Sequence, residues 1–170
     1  MRRPKPDNPG PGQTSVWTFP RPPSIERETR TLRVVFDGRE VARSARCVKV
    51  LETSHPPVYF FPPEDVDAEM ARDSSEGGSF CEWKGRARYH DVVSPSGEGD
   101  RVARAAAFSY PTPFARFLAH AGWLSFYAGP MDACWVDDER VTPQPGGFYS
   151  GWITSDLAGP FKGVEGSWGW

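Results

Sequence analysis

Apolar residues along the chain fall in short alternating runs separated by turn-forming residues, a period-two pattern that predicts strands rather than long helices. Leu32–Phe36 alternates, Asp37-Gly38 reads as a two-residue hairpin turn, and 39–43 is the return strand. Residues 47–52 form the next predicted strand, with Val48, Val50 and Glu52 on one face, so that a carboxylate extends an apolar row. Residues 58–61 are apolar on both faces, which predicts a strand covered on both sides. Pro62-Pro63-Glu64-Asp65-Val66 reads as a turn or a single helical turn with proline at its start, and 72–79 as a loop. A strand over 80–93 would place Cys81, Trp83, Gly85, Ala87 and Tyr89 on one face and Glu82, Lys84, Arg86 and Arg88 on the other, with Gly85 a candidate bulge. Residues 94–100 then make a hairpin loop, and 101–109 returns with a row of Ala103, Ala105 and Ala107. The spacing of Phe114, Phe117, Leu118 and Ala121 predicts one short helix over 114–120. The last strands are 123–127 and Ala133–Val136, the latter turning at Asp137-Asp138.

Both ends of the chain break the pattern. Residues 1–15 are Pro/Gly-rich and polar, which predicts a disordered or loosely laid tail. The stretch 15–24, SVWTFPRPPS, cannot be helical but offers Trp17 and Phe19 for burial, as a strap over the domain. Residues 142–170 are too aromatic to be solvated and too rich in Gly and Pro to be regular. They predict an ordered irregular arm packed on the body. The fold class is therefore mainly β: one compact domain over 16–170 of short antiparallel strands, with one short helix and irregular N- and C-terminal arms.

Composition supports that class. The chain has 170 residues, enough for one sizeable core, and its 18 Pro, 17 Gly and 7 Trp disfavour long helices. No apolar run approaches a membrane span, and the N-terminus has no apolar core of a secretory signal, so no membrane partner is expected. Three widely spaced cysteines argue against a disulfide framework and for a reducing, cytoplasmic compartment. Net charge is −2, with ten basic and five acidic residues in 1–46 against ten and seventeen in the remainder. A basic arm on an acidic body is not the footprint of a nucleic-acid binder.

Chemistry concentrates between residues 48 and 89. Cys81 could be a nucleophile if Lys84 or His55 favoured its thiolate; the plainer reading is a buried cysteine among Trp83 and Tyr89. His55, three residues after Glu52, could be a base oriented by that carboxylate, or a turn histidine held by Pro56-Pro57. Glu52 on its apolar row needs a partner to offset burial, either a ligand or a cation such as Lys84 or an arginine. Lys84, Arg86 and Arg88 could hold an anion or form a solvated face. Zinc held by His55, Cys81 and Cys134 lacks the usual paired spacing, and Gly146-Gly147 lacks the lysine of a phosphate loop. Neither a metal nor a cofactor is expected.

The blocks VVFDGREVA, VLETSHPPVYFFPPEDV, SFCEWKGRARYHDV, AAFSYPTP and WLSFYAGPMDA resemble, in order, the family called Domain of Unknown Function 427, also labelled NTP_transf_9. SVWTFPRPPS and VTPQPGGFYSGWITSDLAGPFKG are similar to the flanks of its longer bacterial form, so the resemblance covers about residues 15–170. It implies a small mainly-β domain without an established activity, and makes Glu52, Tyr59, Asp65, Cys81, Lys84, Gly85 and Tyr89 the motif residues. Phe108 stands where the family usually has Trp, and His90 where an aromatic is common. The sequence lacks a Gly-Ser motif followed by paired metal-binding aspartates, so nothing supports a nucleotidyltransferase.

The resulting expectation is a concave site lined by Glu52, His55, Tyr59, Cys81, Lys84 and Tyr89, with Asp65, Arg86 and Arg88 as further contacts. It would bind a small polar metabolite against aromatic walls. One alternative is a small cofactor-independent enzyme using Cys81 as nucleophile or Lys84 as acid/base, with Glu52 and His55 as base and orienter. A second is a structural or partner-binding role of the C-terminal arm, including a homodimer.

Overall fold

The computed structural model describes residues 3–94 and 101–170. The predicted hairpin loop over 94–100 therefore lies outside the described residues except for Ser94. The fold is mainly β, and among the described residues helix is confined to three 3-10 turns of at most six residues. One four-stranded antiparallel sheet runs in the order Glu139–Arg140, Ala133–Val136, Leu32–Phe36, Arg39–Ser44. A second runs Ser125–Phe126, Val102–Ser109, Arg88–Val93, Ala71–Asp73. A three-stranded sheet, Ser24–Arg27, Val48–Leu51, Val58–Phe60, lies between them in sequence.

The run Val58-Tyr59-Phe60-Phe61 is the hinge of the packing. Alternation sends Tyr59 and Phe61 into a core with Leu32, Val34, Val92 and Trp152, and sends Phe60 into a second core with Val48, Phe108, Tyr110 and Phe117. This is the physical content of a strand apolar on both faces. An isolated bridge pairs Phe61 with Leu124 and ties the strand to the second four-stranded sheet.

Three sequence expectations are corrected. The stretch 80–93 is not one strand but a tight hairpin, Phe80–Cys81 against Gly85–Arg86, followed by Arg88–Val93. The chain reverses over 82–84 and Gly85, with φ +109°, a value side chains rarely adopt, opens the return strand, so the two faces assumed for an unbroken strand do not exist. The row Ala103, Ala105, Ala107 is interrupted: the register against 88–93 shifts between His90 and Val92, and Ala105 takes φ +49° while its N–H donates to Asp91 Oδ1 at 2.8 Å. The predicted short helix is present, as the 3-10 helix Ala115–His120. With three residues per turn only Phe117 is buried, whereas Leu118 and Phe114 are 61% and 48% exposed. Part of the predicted loop over 72–79 also belongs to a strand, since Ala71–Asp73 pairs with Arg88–Val93.

The chain ends lie together. Thr14–Ser15 pairs in parallel with Leu157–Ala158, and the Asp7 N–H donates to Gly159 at 2.9 Å. Residues 1–15 are the predicted loose tail, and from Asp7 onward the chain is tied to the C-terminal arm at these points. Within the strap Val16 is fully buried, while Trp17 packs on Trp170 at 5.6 Å and donates Nε1–H to the Pro160 carbonyl at 2.9 Å. The arm sends Trp152 into the main core, where its Nε1–H donates to Phe126 at 2.9 Å.

Candidate functional site

A cavity of about 1030 Å³ opens between the three-stranded sheet, the second four-stranded sheet, the 80–86 hairpin and the C-terminal arm. Val50 and Val58 supply its aliphatic wall, and Phe108, Tyr110 and Tyr127 its aromatic one. Phe108 meets Tyr110 and Tyr127 at 5.9 and 5.6 Å, so the rings form one continuous surface. Of the predicted residues, Glu52, His55, Cys81, Lys84 and Tyr89 line this cavity.

Each arrives by a local cause. Glu52 continues the Val48, Val50 row one step past the end of its strand, and its partner is Arg21, at 3.2 Å, rather than Lys84. Cys81 ends the first strand of the 80–86 hairpin and Lys84 closes its turn, which brings both to the cavity although an unbroken strand would have set them on opposite faces. The Lys84 ammonium lies 5.5 Å over the Tyr110 ring. Burial first, and the neighbouring Cys81 after it, push the Tyr110 pKa upward; burial holds Tyr127 near 12.

His55 is 7% exposed and packs edge-on against Tyr149 at 4.7 Å. Its orientation is set by Gln144, not by Glu52. The Gln144 Oε1 accepts the Gly151 N–H at 3.0 Å, so its amino group must be the one that donates to the Lys162 carbonyl at 2.9 Å and to His55 Nδ1 at 3.1 Å. Nδ1 is thereby an acceptor, and the neutral ring carries its proton on Nε2. Burial, and after it the charges of Lys162, Arg21 and Lys84, lower the His55 pKa to about 3, so the ring stays neutral at physiological pH.

The remaining predicted contacts lie elsewhere, and parity explains most of them. Tyr59 points away from the cavity because its neighbour Val58 faces it. Its hydroxyl accepts from Arg30 at 3.2 Å, in a network where Arg30 also grips the buried Glu28 at 2.9 Å. Asp65 accepts from Ser44 at 2.6 Å and pairs with Arg46 at 2.7 Å, closing a corner of the fold; Arg46 holds its pKa down. Arg86 is exposed, and Arg88 reaches toward Asp73 at 3.9 Å on the solvent side, so neither lines the cavity. Cys134 is buried in the first sheet, away from His55 and Cys81, which removes the zinc set considered from sequence. Among the described residues no group of three metal-ligating side chains converges.

Of the two positions where the sequence departs from its family, Phe108 lines the cavity and His90 does not. His90 Nε2 lies 2.8 Å from Ser109 Oγ and its Nδ1 3.4 Å from Asp73. This Ser–His–Asp chain resembles a nucleophile relay, but Ser109 is 3% exposed and none of the three lines the cavity, so a substrate has no approach to it. Sequence reasoning missed Gln144, Tyr149 and Lys162, which come from the arm, and Tyr110 and Tyr127. Nothing in the local pattern around PQPGG or GPFKG marks them, because their role arises only where the arm crosses the cavity.

The fold and cavity together define a small mainly-β domain with a deep mixed aromatic and ionic hollow. A family model described as Domain of unknown function (DUF427) matches residues 24–137, and the chain belongs to that family. The matched span holds Glu52, His55, Cys81 and Lys84, while Arg21, Gln144 and Lys162 lie outside it. A search of curated proteins finds no match to the chain. No helix among the described residues is long and apolar enough to cross a membrane.

Proposed function

We propose that the chain is a small-molecule-binding domain whose ligand lies in this cavity. The observation that carries the reading is the division of the wall: a continuous aromatic surface of Phe108, Tyr110 and Tyr127 on one side, and Glu52, His55, Lys84 and Lys162 gathered with the arm on the other. Its volume suits a metabolite of moderate size. The test uses N-phenylnaphthylamine, an uncharged dye that brightens in apolar surroundings. One dye is expected to bind per chain, and Val58→Trp, which thrusts a ring from the aliphatic wall into the cavity, is expected to weaken binding at least tenfold while leaving the circular dichroism unchanged. Absence of saturable binding, or affinity unchanged by Val58→Trp, refutes the reading.

A second reading, an enzyme using Cys81, has one observation in its favour. Of the three cysteines Cys81 alone lines the cavity, together with Lys84 and Tyr110, whereas Cys47 and Cys134 are sealed and burial drives their thiols up, Cys47 to about 12. Glu52 and His55 do not support the base-and-orienter role assigned to them in that scheme, since one is held by Arg21 and the other by Gln144. Brief iodoacetamide treatment at neutral pH is expected to label Cys81 and spare the other two. A folded protein in which Cys81 stays unlabelled loses the enzyme reading.

A further inference from the structure

The ionic end of the cavity is unbalanced in charge. Around the neutral His55 ring stand Arg21, Lys84 and Lys162, whose charges all act on it, and the nearest carboxylate, Glu52, is already taken by Arg21 at 3.2 Å. Lys84 lies over the Tyr110 ring at 5.5 Å; Lys162 lies over the Tyr149 ring at 5.5 Å and donates to the Trp170 backbone oxygen at 3.3 Å. Among the described residues neither ammonium has an Asp or Glu carboxylate within ion-pair distance. The other acidic residues of the wall, Glu76 and Glu82, are exposed and are accompanied by the equally exposed Arg104. Lys162 itself is only 9% exposed, and two ammonium groups without an acidic side chain in so sheltered a place leave Coulomb energy unused in a chain of net charge −2.

His55 completes the pattern. Its Nδ1 is occupied by Gln144, its Nε2 carries the proton, and no partner for Nε2 is found among the described residues although the ring lines the cavity. A donor left open beside two ammonium groups that no acidic side chain meets matches an acceptor that is negatively charged. We infer that this end of the cavity is a subsite for an organic monoanion, a carboxylate carried on an aromatic or apolar body. Lys84 and Lys162 supply the countercharge, His55 Nε2–H a neutral hydrogen bond, and the rings of Phe108 and Tyr127 the surface for the body. A phosphate dianion is ordinarily met by arginine forks or nests of backbone amides. Here Arg21 is committed to Glu52, and the donors are two point charges and a neutral ring. The inference rests on the cavity being a small-molecule site, and it adds the class of ligand.

Competition against N-phenylnaphthylamine tests it with three probes sharing one body: naphthol, naphthoate and naphthyl phosphate, at neutral pH. Naphthoate is expected to compete at least tenfold better than naphthol, with naphthyl phosphate no better than naphthoate. Lys84→Met and Lys162→Met should each shrink the naphthoate-to-naphthol ratio severalfold, with circular dichroism showing that the variants fold; Lys84→Arg should retain it. If the wild-type protein binds the dye but naphthol competes as well as naphthoate, or the phosphate does so tenfold better, the monoanion subsite is overturned and the cavity reading stands. If the wild-type protein does not bind the dye, the cavity reading fails and this inference falls with it.

Discussion

His55 shows how one buried side chain couples the site to stability. Its pKa falls from 6.5 to about 3 on folding, so between those values the unfolded chain binds a proton that the folded one does not. The contribution to stability is complete above pH 6.5 and is lost as pH falls toward 3. At ~1.4 kcal/mol per unit, lowering the pH from 7.5 to 4.5 should cost the wild type ~2–3 kcal/mol through this group. His55→Asn keeps an acceptor for Gln144 and has no such titration, so its urea-unfolding free energy should fall less over the same interval. The range avoids Glu28, whose pKa is lowered to about 2 from 4.5 and whose loss begins only below that ordinary value. Equal acid sensitivity of the two proteins would show that His55 is not held neutral by its surroundings.

At the scale of elements, the arm is positioned by close backbone approach rather than by a sheet. A Cβ at Gly146 would lie 2.1 Å from the Gly163 carbonyl oxygen, and one at Gly163 2.0 Å from that of Pro145. These contacts hold the two halves of the arm together beside Gln144 and Lys162. Gly147 is the natural control: its φ of +72° resembles the +86° of Gly146, but a Cβ there meets nothing within 4 Å. Gly147→Ala should therefore cost only the backbone strain, ~1–2 kcal/mol. Gly146→Ala should cost at least ~1 kcal/mol more and weaken dye binding, because the arm must shift. Chemical denaturation of the two variants gives the comparison, and equal losses would mean that the close approach does not constrain the arm. The 80–86 hairpin makes the complementary point, since its short turn over 82–84 delivers both Cys81 and Lys84 to one hollow.

At the scale of the molecule, the arm is part of the core as well as the cavity wall. Trp152 is 1% exposed and packs on Tyr59 at 5.3 Å and Phe61 at 6.0 Å. Arg30, which bonds Glu28 and Tyr59, also reaches Asp156 of the arm at 3.2 Å. Trp152→Ala should lower stability by ~3–5 kcal/mol, whereas Trp168→Ala, at 63% exposure, should stay within ~1 kcal/mol of wild type. Similar thermal-melt shifts for the two would contradict the arm's place in the core. A chain ending before Thr142 should be strongly destabilised, for it loses Trp152 together with Gln144 and Lys162.

What the sequence by itself determined was the class of structure and one stretch that lines much of the candidate cavity. Short alternating runs, Asp37-Gly38, and the doubly apolar 58–61 dictate local backbone geometry and burial, and such features depend on near neighbours alone. The pairing of Glu52, Cys81 and Lys84 with one cavity was likewise suggested by residue types within one stretch. Only the tertiary structure decided which of their companions belong. Tyr59 and Asp65 share that stretch but turn to other partners, because one step along a strand reverses the face. Gln144, Tyr149 and Lys162 come from a segment with no periodic pattern. The partners that fix the state of His55 stand about ninety and more than a hundred positions away. Hydrogen bonds and charges act through space, and the distances that matter to them are set by how the arm crosses the sheets.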